Sequence, residues 1–168
     1  MAGCRVTAGW CRAAVALWLL LLFLPAQARS FEGVVTHVTD GDSLWVRPAS
    51  GGPPRQIRMQ GIDAPEICQA FGVRSREALA ARVLHRRVAV DTRARDSYER
   101  ELGHVTLSGH DLGAWMVGGG YAWSYRFRRD RGPYAAQETR ARKARLGLWA
   151  QGPAMEPREF RKRHGSCK

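Results

Sequence analysis

The chain has few acidic residues for its length. Its 168 residues include 15 Asp and Glu against 27 Lys and Arg, and the formal net charge is +12. Such an excess of positive charge favours a polyanionic partner, either nucleic acid or an anionic membrane surface. Arginine makes up most of the basic residues, and a guanidinium can bind two phosphate oxygens at once. We therefore favour nucleic acid over a surface that is basic only for solubility.

The chain also lacks an apolar run long enough for an ordinary transmembrane helix, which needs about 20 residues. Its longest run, residues 13–24, follows Arg5 and Arg12 and precedes Ala26-Gln27-Ala28. A basic start, an apolar centre and a small-x-small end are typical of a signal peptide. We predict that residues 1–28 are such a signal, that the protein is exported, periplasmic or secreted, and that no stable membrane span remains after cleavage. An uncleaved anchor is the less favoured alternative.

The sequence contains no internal repeat, and its length suits one domain with a core of its own. We place this domain at residues 29–150. Residues 151–168 contain proline and many basic side chains. We predict a basic C-terminal tail there, and we assign it no secondary structure.

Cysteine is scarce after the predicted signal: residues 29–168 contain only Cys68 and Cys167. In an exported protein two cysteines permit one disulfide, which would attach the tail to the turn beside Glu66. Two free thiols are an equally weighted alternative, because the sequence does not place the two Cα atoms.

The histidines share no regular spacing, and no cluster of His and Cys typical of a zinc site is present in the sequence. Acidic residues lie instead at two predicted turns, in Asp40-Gly41-Asp42 and at Asp63. Carboxylate oxygens without His or Cys partners suit Ca²⁺ or Mg²⁺ rather than Zn²⁺. For the first segment considered alone, an ordinary Asp-Gly turn is the simpler interpretation.

Hydrophobic patterning predicts five short strands and three helices. The strands are predicted at residues 31–38, 44–46, 55–60, 88–90 and 104–107. The first and third helices are predicted at residues 72–87 and 134–146, and the second is predicted to begin after an N-cap at Asp111. A polar loop is predicted at residues 91–101. The periodicity alone gives an α+β class. A helix between the third and fourth of five strands suggests a small closed barrel of the OB type.

Three motifs follow one another along the chain. They are Val38-Thr39-Asp40-Gly41-Asp42-Ser43, then Ile57-Arg58 with Ile62-Asp63-Ala64-Pro65-Glu66, then Asp96-Ser97-Tyr98-Glu99-Arg100. Together they resemble the thermonuclease family, which includes staphylococcal nuclease, over residues 31–150. Three motifs in the right order are far more specific than any one alone. The resemblance implies an α+β fold, namely a five-stranded OB-type β-barrel with three α-helices.

The resemblance also implies a function. A member of this family would be a Ca²⁺-dependent nuclease that hydrolyses phosphodiester bonds of DNA and RNA, with little sequence preference, and leaves 3′-phosphates. The implied metal ligands are Asp42, Asp63 and the backbone carbonyl of Ala64.

Other residues in the motifs are implied to act on the phosphate. Arg58 and Arg100 would bind its oxygens and stabilise the charge that builds on phosphorus. Glu66 would be the general base for the attacking water, although water positioning or metal binding is also open to it. Tyr98 would contact a nucleotide. Considered alone, each arginine would be interpreted as a solvated surface charge.

Aromatic and basic side chains alternate in Tyr125-Arg126-Phe127-Arg128-Arg129, as they do on surfaces that bind single strands. We predict that Tyr125 and Arg126 bind substrate and that single-stranded DNA and RNA are preferred. We expect the protein to be a monomer.

Glu99 departs from the family pattern, which has glycine between the tyrosine and the arginine. A carboxylate here, with a second at Glu101, could pair with Arg100 and compete with phosphate, and the loss of glycine could prevent a positive φ. The alternative function is therefore a non-catalytic OB-fold protein that binds nucleic acid without cutting it. A weaker alternative is a cationic surface protein that acts by charge alone.

Overall fold

Five long strands close into a barrel in the computed structural model, which describes residues 29–127 and 129–167. In chain order the strands are β1 (Arg29–Asp40), β2 (Ser43–Pro48), β3 (Arg55–Met59), β4 (Ile62–Asp63), β5 (Arg87–Arg95), β6 (Glu101–Leu107), β7 (His110–Asp111) and β8 (Trp123–Ser124). Antiparallel pairing joins β3, β2, β1, β5 and β6 in that order, and a parallel pairing of β3 with β6 closes the barrel. The short strands β4 and β8 pair with each other outside it.

Alternation of buried and solvent-facing side chains explains the barrel. In β6 every second residue is buried, from Glu101 to Leu107, as expected for a strand with one face on a core. The interior is filled mainly by Val35, Leu44, Val46, Ile57, Val90 and Val105. β-Branched and aliphatic residues pack well on a pleated surface, so composition and alternation agree.

Within the described residues, three helices accompany the barrel and a fourth follows them. They are α1 (Gly72–Val83), α2 (Leu112–Gly118), α3 (Ala135–Lys143) and α4 (Pro157–His164). Asp111 caps α2 as predicted, since its side chain accepts a hydrogen bond from the Ala114 N–H at 3.1 Å. The α+β class and the five-stranded barrel are confirmed. Helix α4 lies in the tail to which the sequence analysis assigned no structure.

A second, smaller apolar cluster holds the C-terminal half of the domain. Trp123, Ala141, Leu148 and Trp149 are buried together there, with the two indole rings edge to face and their centroids 5.3 Å apart. The cluster fixes α3 and the 3₁₀ turn at Gly147–Trp149, so the chain is already ordered where it enters the tail.

The third strand ends at Met59, one residue before its predicted end at residue 60, and Gly61 turns the chain with a φ of 82°. Asp63, predicted at a turn, lies in the separate short strand β4. Only glycine takes a positive φ without steric cost, so Gly61 allows this separate strand to form.

Two other predicted boundaries also differ from the structure. The first helix ends at Val83 because His85 has a φ of 61° and donates its N–H to the carbonyl of Val35 in β1 at 2.9 Å. The predicted loop at residues 91–101 is much shorter, because β5 and β6 remain paired as far as Arg95 and Glu101.

The C-terminal segment is covalently attached to the domain. Cys68 and Cys167 form a disulfide with their Cα atoms 5.8 Å apart. Of the two alternatives for these cysteines, the structure has the disulfide. It joins the residues after α4 to the loop that follows Glu66.

The predicted signal at residues 1–28 lies outside the described residues. Within residues 29–127 and 129–167, no helix combines the length and the apolar character that a membrane crossing requires.

Candidate functional site

Asp42 lies at the end of the turn between β1 and β2, where the chain is tightly packed. A Cβ atom on Gly41 would lie 1.9 Å from Ser75 Oγ and 2.8 Å from Ala64 Cβ. Glycine therefore lets the turn pack against α1 and against the residue that follows β4. Asp42 is buried, and its Oδ2 accepts a hydrogen bond from the Ala64 N–H at 2.9 Å.

Arg58 is brought to Asp42 by the pairing of β2 with β3, in which it lies opposite Ser43. Its neighbour Ile57 is fully buried, so strand alternation directs Arg58 away from the core. The guanidinium contacts Asp42 Oδ1 through Nη1, and its Nη2 donates to Asp63 Oδ1 at 3.0 Å. Two of the sequence motifs therefore meet at this one side chain.

Asp63 and Glu66 are positioned by β4 and the loop after it. Asp63 lies opposite Trp123 in the pairing of β4 with β8. The Glu66 N–H donates to Gln69 Oε1 at 3.2 Å, and the buried Gln69 donates to the carbonyl of Met155 at 2.7 Å. Gln69 thus connects the Glu66 loop to the C-terminal segment, a positioning role that the sequence analysis did not identify.

The two aspartates of the first turn differ in protonation. Burial, with the nearby charge of Asp42, raises the pKa of Asp40 to about 8. Burial also acts to raise the pKa of Asp42, but the charge of Arg58 and the hydrogen bonds around it hold that pKa below its usual value. Asp42 is therefore the ionised member of the pair, and Asp40 carries a proton near neutral pH.

The pKa of Asp63 is raised although two arginines contact its carboxylate. Burial raises its pKa above the usual value, although Arg161 and Arg58 oppose the shift. Burial also acts to lower the pKa of Arg58, but the charges of Asp42 and Asp63 reverse this and raise it. Because burial disfavours the charged form of Asp63, a further cation placed beside it would favour that form.

Asp42 and Asp63 are the carboxylates that could share a metal ion. Both contact the same guanidinium, so their oxygens already converge on one positive group. Oxygen donors suit Ca²⁺ and Mg²⁺, and Ala64 adjoins Asp42. In the described part of the chain, no three His, Cys, Asp or Glu side chains cluster as metal ligands. The residues therefore fit a divalent cation held by two carboxylates with backbone or water oxygens.

The turn from Asp96 to Arg100 forms another part of the same groove. Asp96 Oδ1 accepts the N–H groups of Tyr98 and Arg100 at 2.9 and 3.0 Å, and its Oδ2 accepts Arg100 Nε at 2.8 Å. Burial opposes these bonds, but they lower the pKa of Asp96. Tyr98 is 74% exposed, and the Arg100 guanidinium lies 5.2 Å from its ring centre. One carboxylate thus orders a turn that presents an aromatic ring and a cation.

Glu99 does not pair with Arg100, contrary to the concern raised by the sequence. Its carboxylate lies 3.4 Å from Arg95, while Glu101 contacts Arg55 and lies 3.8 Å from Arg95. Glu99 also adopts the positive φ, 61°, that the loss of glycine was expected to prevent. The turn therefore keeps the left-handed backbone conformation that glycine would adopt in the family pattern, and a glutamate in this conformation is strained.

The predicted substrate residues Tyr125 and Arg126 have different surroundings. Tyr125 and Phe127 are exposed and line the groove. Arg126 instead contacts Glu138 at 2.7 Å and Glu156 at 3.3 Å. Because Glu138 is buried, this ion pair ties Arg126 to the fold, and the binding of substrate by Arg126 stays a prediction.

Arg161 is the main site residue that the sequence analysis missed. It lies on α4 and contacts Asp63 and Glu66, from which it is separated by 98 and 95 residues. No local motif marks it within a basic tail. One signal was available: the possible disulfide between Cys68 and Cys167 would have brought the tail near Glu66.

Residues from all of these segments line one groove with a volume of about 950 Å³. Its lining includes Arg58, Glu66, Tyr98, Arg100, Tyr125 and Arg161. The groove therefore combines cations that can bind phosphate, a carboxylate that can accept a proton and exposed aromatic rings.

Comparison with known proteins places the chain among nucleases. The family described as "Staphylococcal nuclease homologue" matches residues 56–151, a range that contains Arg58, Glu66 and Arg100. Protein ParB of Escherichia coli is 40% identical over 162 residues, 90% of each chain. Micrococcal nuclease of Shigella flexneri is 37% identical over 164 residues, 90% of this chain and 91% of the other. An uncharacterized endonuclease of Haemophilus influenzae is 32% identical over 147 residues, 86% and 82% of the two chains.

Proposed function

The chain belongs to the staphylococcal nuclease family and is a nuclease, and we propose that it cuts DNA and RNA with Ca²⁺ after export from the cytoplasm. One observation supports this proposal most strongly. The carboxylates Asp42 and Asp63 converge on Arg58, and Arg161 joins Asp63 to Glu66. Asp42, Arg58, Glu66 and Arg100 line one groove. A protein that only binds nucleic acid gains nothing from three carboxylates placed where phosphate must lie.

The chemistry we propose is attack of water on phosphorus with departure of the 5′-oxygen, which leaves a 3′-phosphate. Glu66 takes the proton of the attacking water. Arg58 and Arg100 bind phosphate oxygens and stabilise the charge that grows on them. Asp96 orients Arg100 through its Nε at 2.8 Å. A Ca²⁺ ion held by Asp42, Asp63 and the Ala64 carbonyl would supply Lewis-acid polarisation of the phosphate.

The substrate preference that we propose is single-stranded or frayed nucleic acid with little sequence selectivity. Tyr98, Tyr125 and Phe127 are exposed along the groove, and aromatic rings stack on any base. A single strand enters a groove on a barrel more readily than a duplex does. Export is supported by the sequence of residues 1–28 and by the disulfide, since disulfides persist in oxidising compartments.

The proposal is tested by cleavage of single-stranded DNA and RNA by the purified protein, in Ca²⁺ and in chelator. We expect Ca²⁺-dependent degradation, and we expect the fragments to change mobility after phosphatase treatment because they end in 3′-phosphates. Arg47→Ala, a change at an exposed arginine of β2, serves as the matched control for Arg58→Ala. Undiminished cleavage in chelator would contradict the metal requirement, and binding without any cleavage would contradict the nuclease.

The alternative of a binding-only protein depended on Glu99 interfering with Arg100. Glu99 contacts Arg95 instead, so the structure offers no support for that interference. We therefore keep the nuclease as the single proposed function.

A further inference from the structure

Arg161 joins the C-terminal helix to the candidate site through three hydrogen bonds. Its Nη1 donates to Glu66 Oε1 at 2.7 Å and to Asp63 Oδ1 at 3.2 Å, and its Nη2 donates to Asp63 Oδ2 at 3.1 Å. A guanidinium carries five N–H groups in a planar fork, so two remain for another acceptor. The side chain is 31% exposed and lines the groove, where a substrate phosphate would supply that acceptor.

The segment that carries Arg161 is held on both sides of it. Before α4, the carbonyl of Met155 accepts the hydrogen bond from Gln69 at 2.7 Å. After α4, Cys167 is bonded to Cys68, whose N–H also donates to Cys167 Sγ at 3.0 Å. Both attachments lead to the loop directly after Glu66. The position of Arg161 is therefore fixed relative to Glu66 by a covalent bond and by buried hydrogen bonding.

Arg161 also offsets part of the negative charge that the carboxylates bring to the groove. Asp42 and Asp63 contact Arg58, and the carboxylates of Asp42 and Glu66 line the groove that must accept an anionic phosphodiester. A second guanidinium among them reduces the repulsion, and the two carboxylates that it contacts hold its fork in one orientation. A cation oriented in this way loses little side-chain freedom when phosphate binds.

We propose that Arg161 is a third phosphate-binding arginine of this nuclease and that the disulfide between Cys68 and Cys167 keeps it in the groove. The inference rests on the proposed function, since it assigns part of the substrate contact to α4. Asp63 and Glu66 orient the guanidinium of Arg161 by accepting three of its N–H groups. The remaining N–H groups of Arg161 bind a phosphate oxygen.

The test is binding of a fluorescently labelled single-stranded oligonucleotide in chelator, measured by anisotropy over a range of NaCl concentrations. For single strands, the logarithm of the binding constant falls against the logarithm of salt concentration by about 0.7 for each phosphate contact. We expect Arg161→Ala to reduce this slope by about 0.7 and to weaken binding roughly tenfold at moderate salt. Arg161→Lys should retain the slope, because the charge remains, and bind less tightly than wild type, because the fork is lost.

Arg158→Ala is the matched control, since Arg158 is exposed on the same helix and does not line the groove. It should leave the slope unchanged. An unchanged slope in Arg161→Ala, with a lower melting temperature, would show a merely structural ion pair and overturn the inference. Tighter binding or faster cleavage by Arg161→Ala would show an inhibitory contact and would also overturn it.

The measurement separates this inference from the proposed function. A wild-type protein that binds the oligonucleotide but never cuts it contradicts the nuclease, while the salt slopes still decide the role of Arg161. A wild-type protein that binds no nucleic acid overturns both.

The disulfide is tested by replacing Cys68 and Cys167 together with serine. We expect the double variant to show the same loss of slope as Arg161→Ala, and Arg161→Ala made in that background to add nothing further. If the double variant binds like wild type at every salt concentration, the disulfide is not what holds Arg161 in place.

Discussion

Asp63 is contacted by two arginines that belong to different parts of the molecule. Arg58 lies five residues away, on the barrel strand β3, whereas Arg161 lies 98 residues away on α4. The side chain of Arg58 is 18% exposed and that of Arg161 is 31% exposed. The turn at Gly61 brings Asp63 back to Arg58, whereas a disulfide outside the barrel attaches the segment that carries Arg161. The barrel thus builds the acidic part of the site, and the C-terminal segment adds a cation to it.

Arg58→Ala should have the largest effect of the changes that distinguish the barrel from the C-terminal segment. The change leaves the buried Asp42 and Asp63 without their shared partner, so we expect the free energy of unfolding to fall by about 3 kcal/mol. We also expect the cleavage rate to fall by about 10²- to 10³-fold, as for loss of one preorganised donor. Urea denaturation and initial rates measure the two effects, with Arg47→Ala as control. Full activity in a folded Arg58→Ala protein would contradict its assigned role.

A smaller effect is expected when the C-terminal segment is released from the barrel. Replacing Cys68 and Cys167 with serine should lower the free energy of unfolding by about 2 kcal/mol, because the unfolded chain is no longer constrained. Hydrogen exchange should show lost protection in α4 and retained protection in β1, β2 and β3. Lost protection throughout the barrel would instead show that the two regions form one cooperative unit.

Addition of Ca²⁺ should stabilise the acidic region by a still smaller amount. At ten times its dissociation constant, a ligand of the folded state contributes about 1.4 kcal/mol. We therefore expect a rise in melting temperature for wild type and for Arg47→Ala, and no rise for Asp42→Asn, which lacks one carboxylate. Thermal denaturation in Ca²⁺ and in chelator measures this without reference to cleavage. An equal rise in Asp42→Asn would place the ion elsewhere.

The smallest effect is expected at Glu99, whose carboxylate pairs with Arg95. Glu99→Gly should stabilise the protein by about 1 kcal/mol, because glycine adopts the φ of 61° without strain. Cleavage should change less than twofold, since Glu99 pairs with Arg95 rather than with Arg100. Glu99→Ala is the control that removes the ion pair and keeps the strained φ. A large gain of cleavage in both variants would revive competition between Glu99 and phosphate.

The sequence was most informative where contacts are local. The motifs around Asp42, Arg58 and Asp63 predicted residues that the structure brings together, because strand pairing places Arg58 opposite Ser43. Alternation of side chains is a property of each strand by itself, so periodicity predicted the α+β class, whereas the barrel was predicted from the placement of a helix between the third and fourth strands and from the family resemblance.

Long-range contacts explain what the sequence did not reveal. Arg161 looked like any other arginine of a basic tail, and nothing nearby in sequence indicates that it contacts Glu66. Arg126 is predicted to bind substrate, and nothing nearby in sequence indicates that it also pairs with the buried Glu138 on α3. The partner of each charged side chain in an arginine-rich chain is decided by tertiary structure, which composition does not describe.

The parallel pairing of β3 with β6 closes the barrel and also determines when Arg58 and Arg100 come together during folding. Parallel strands cannot be joined by a short turn, so these two meet only after the intervening chain has folded back. Arg58 lies opposite Leu102 in this pair, and Arg100 directly precedes β6. Closure of the barrel by this pair therefore brings together Arg58 of the second motif and Arg100 of the third. In a refolding experiment, the onset of cleavage should report the moment at which the barrel closes.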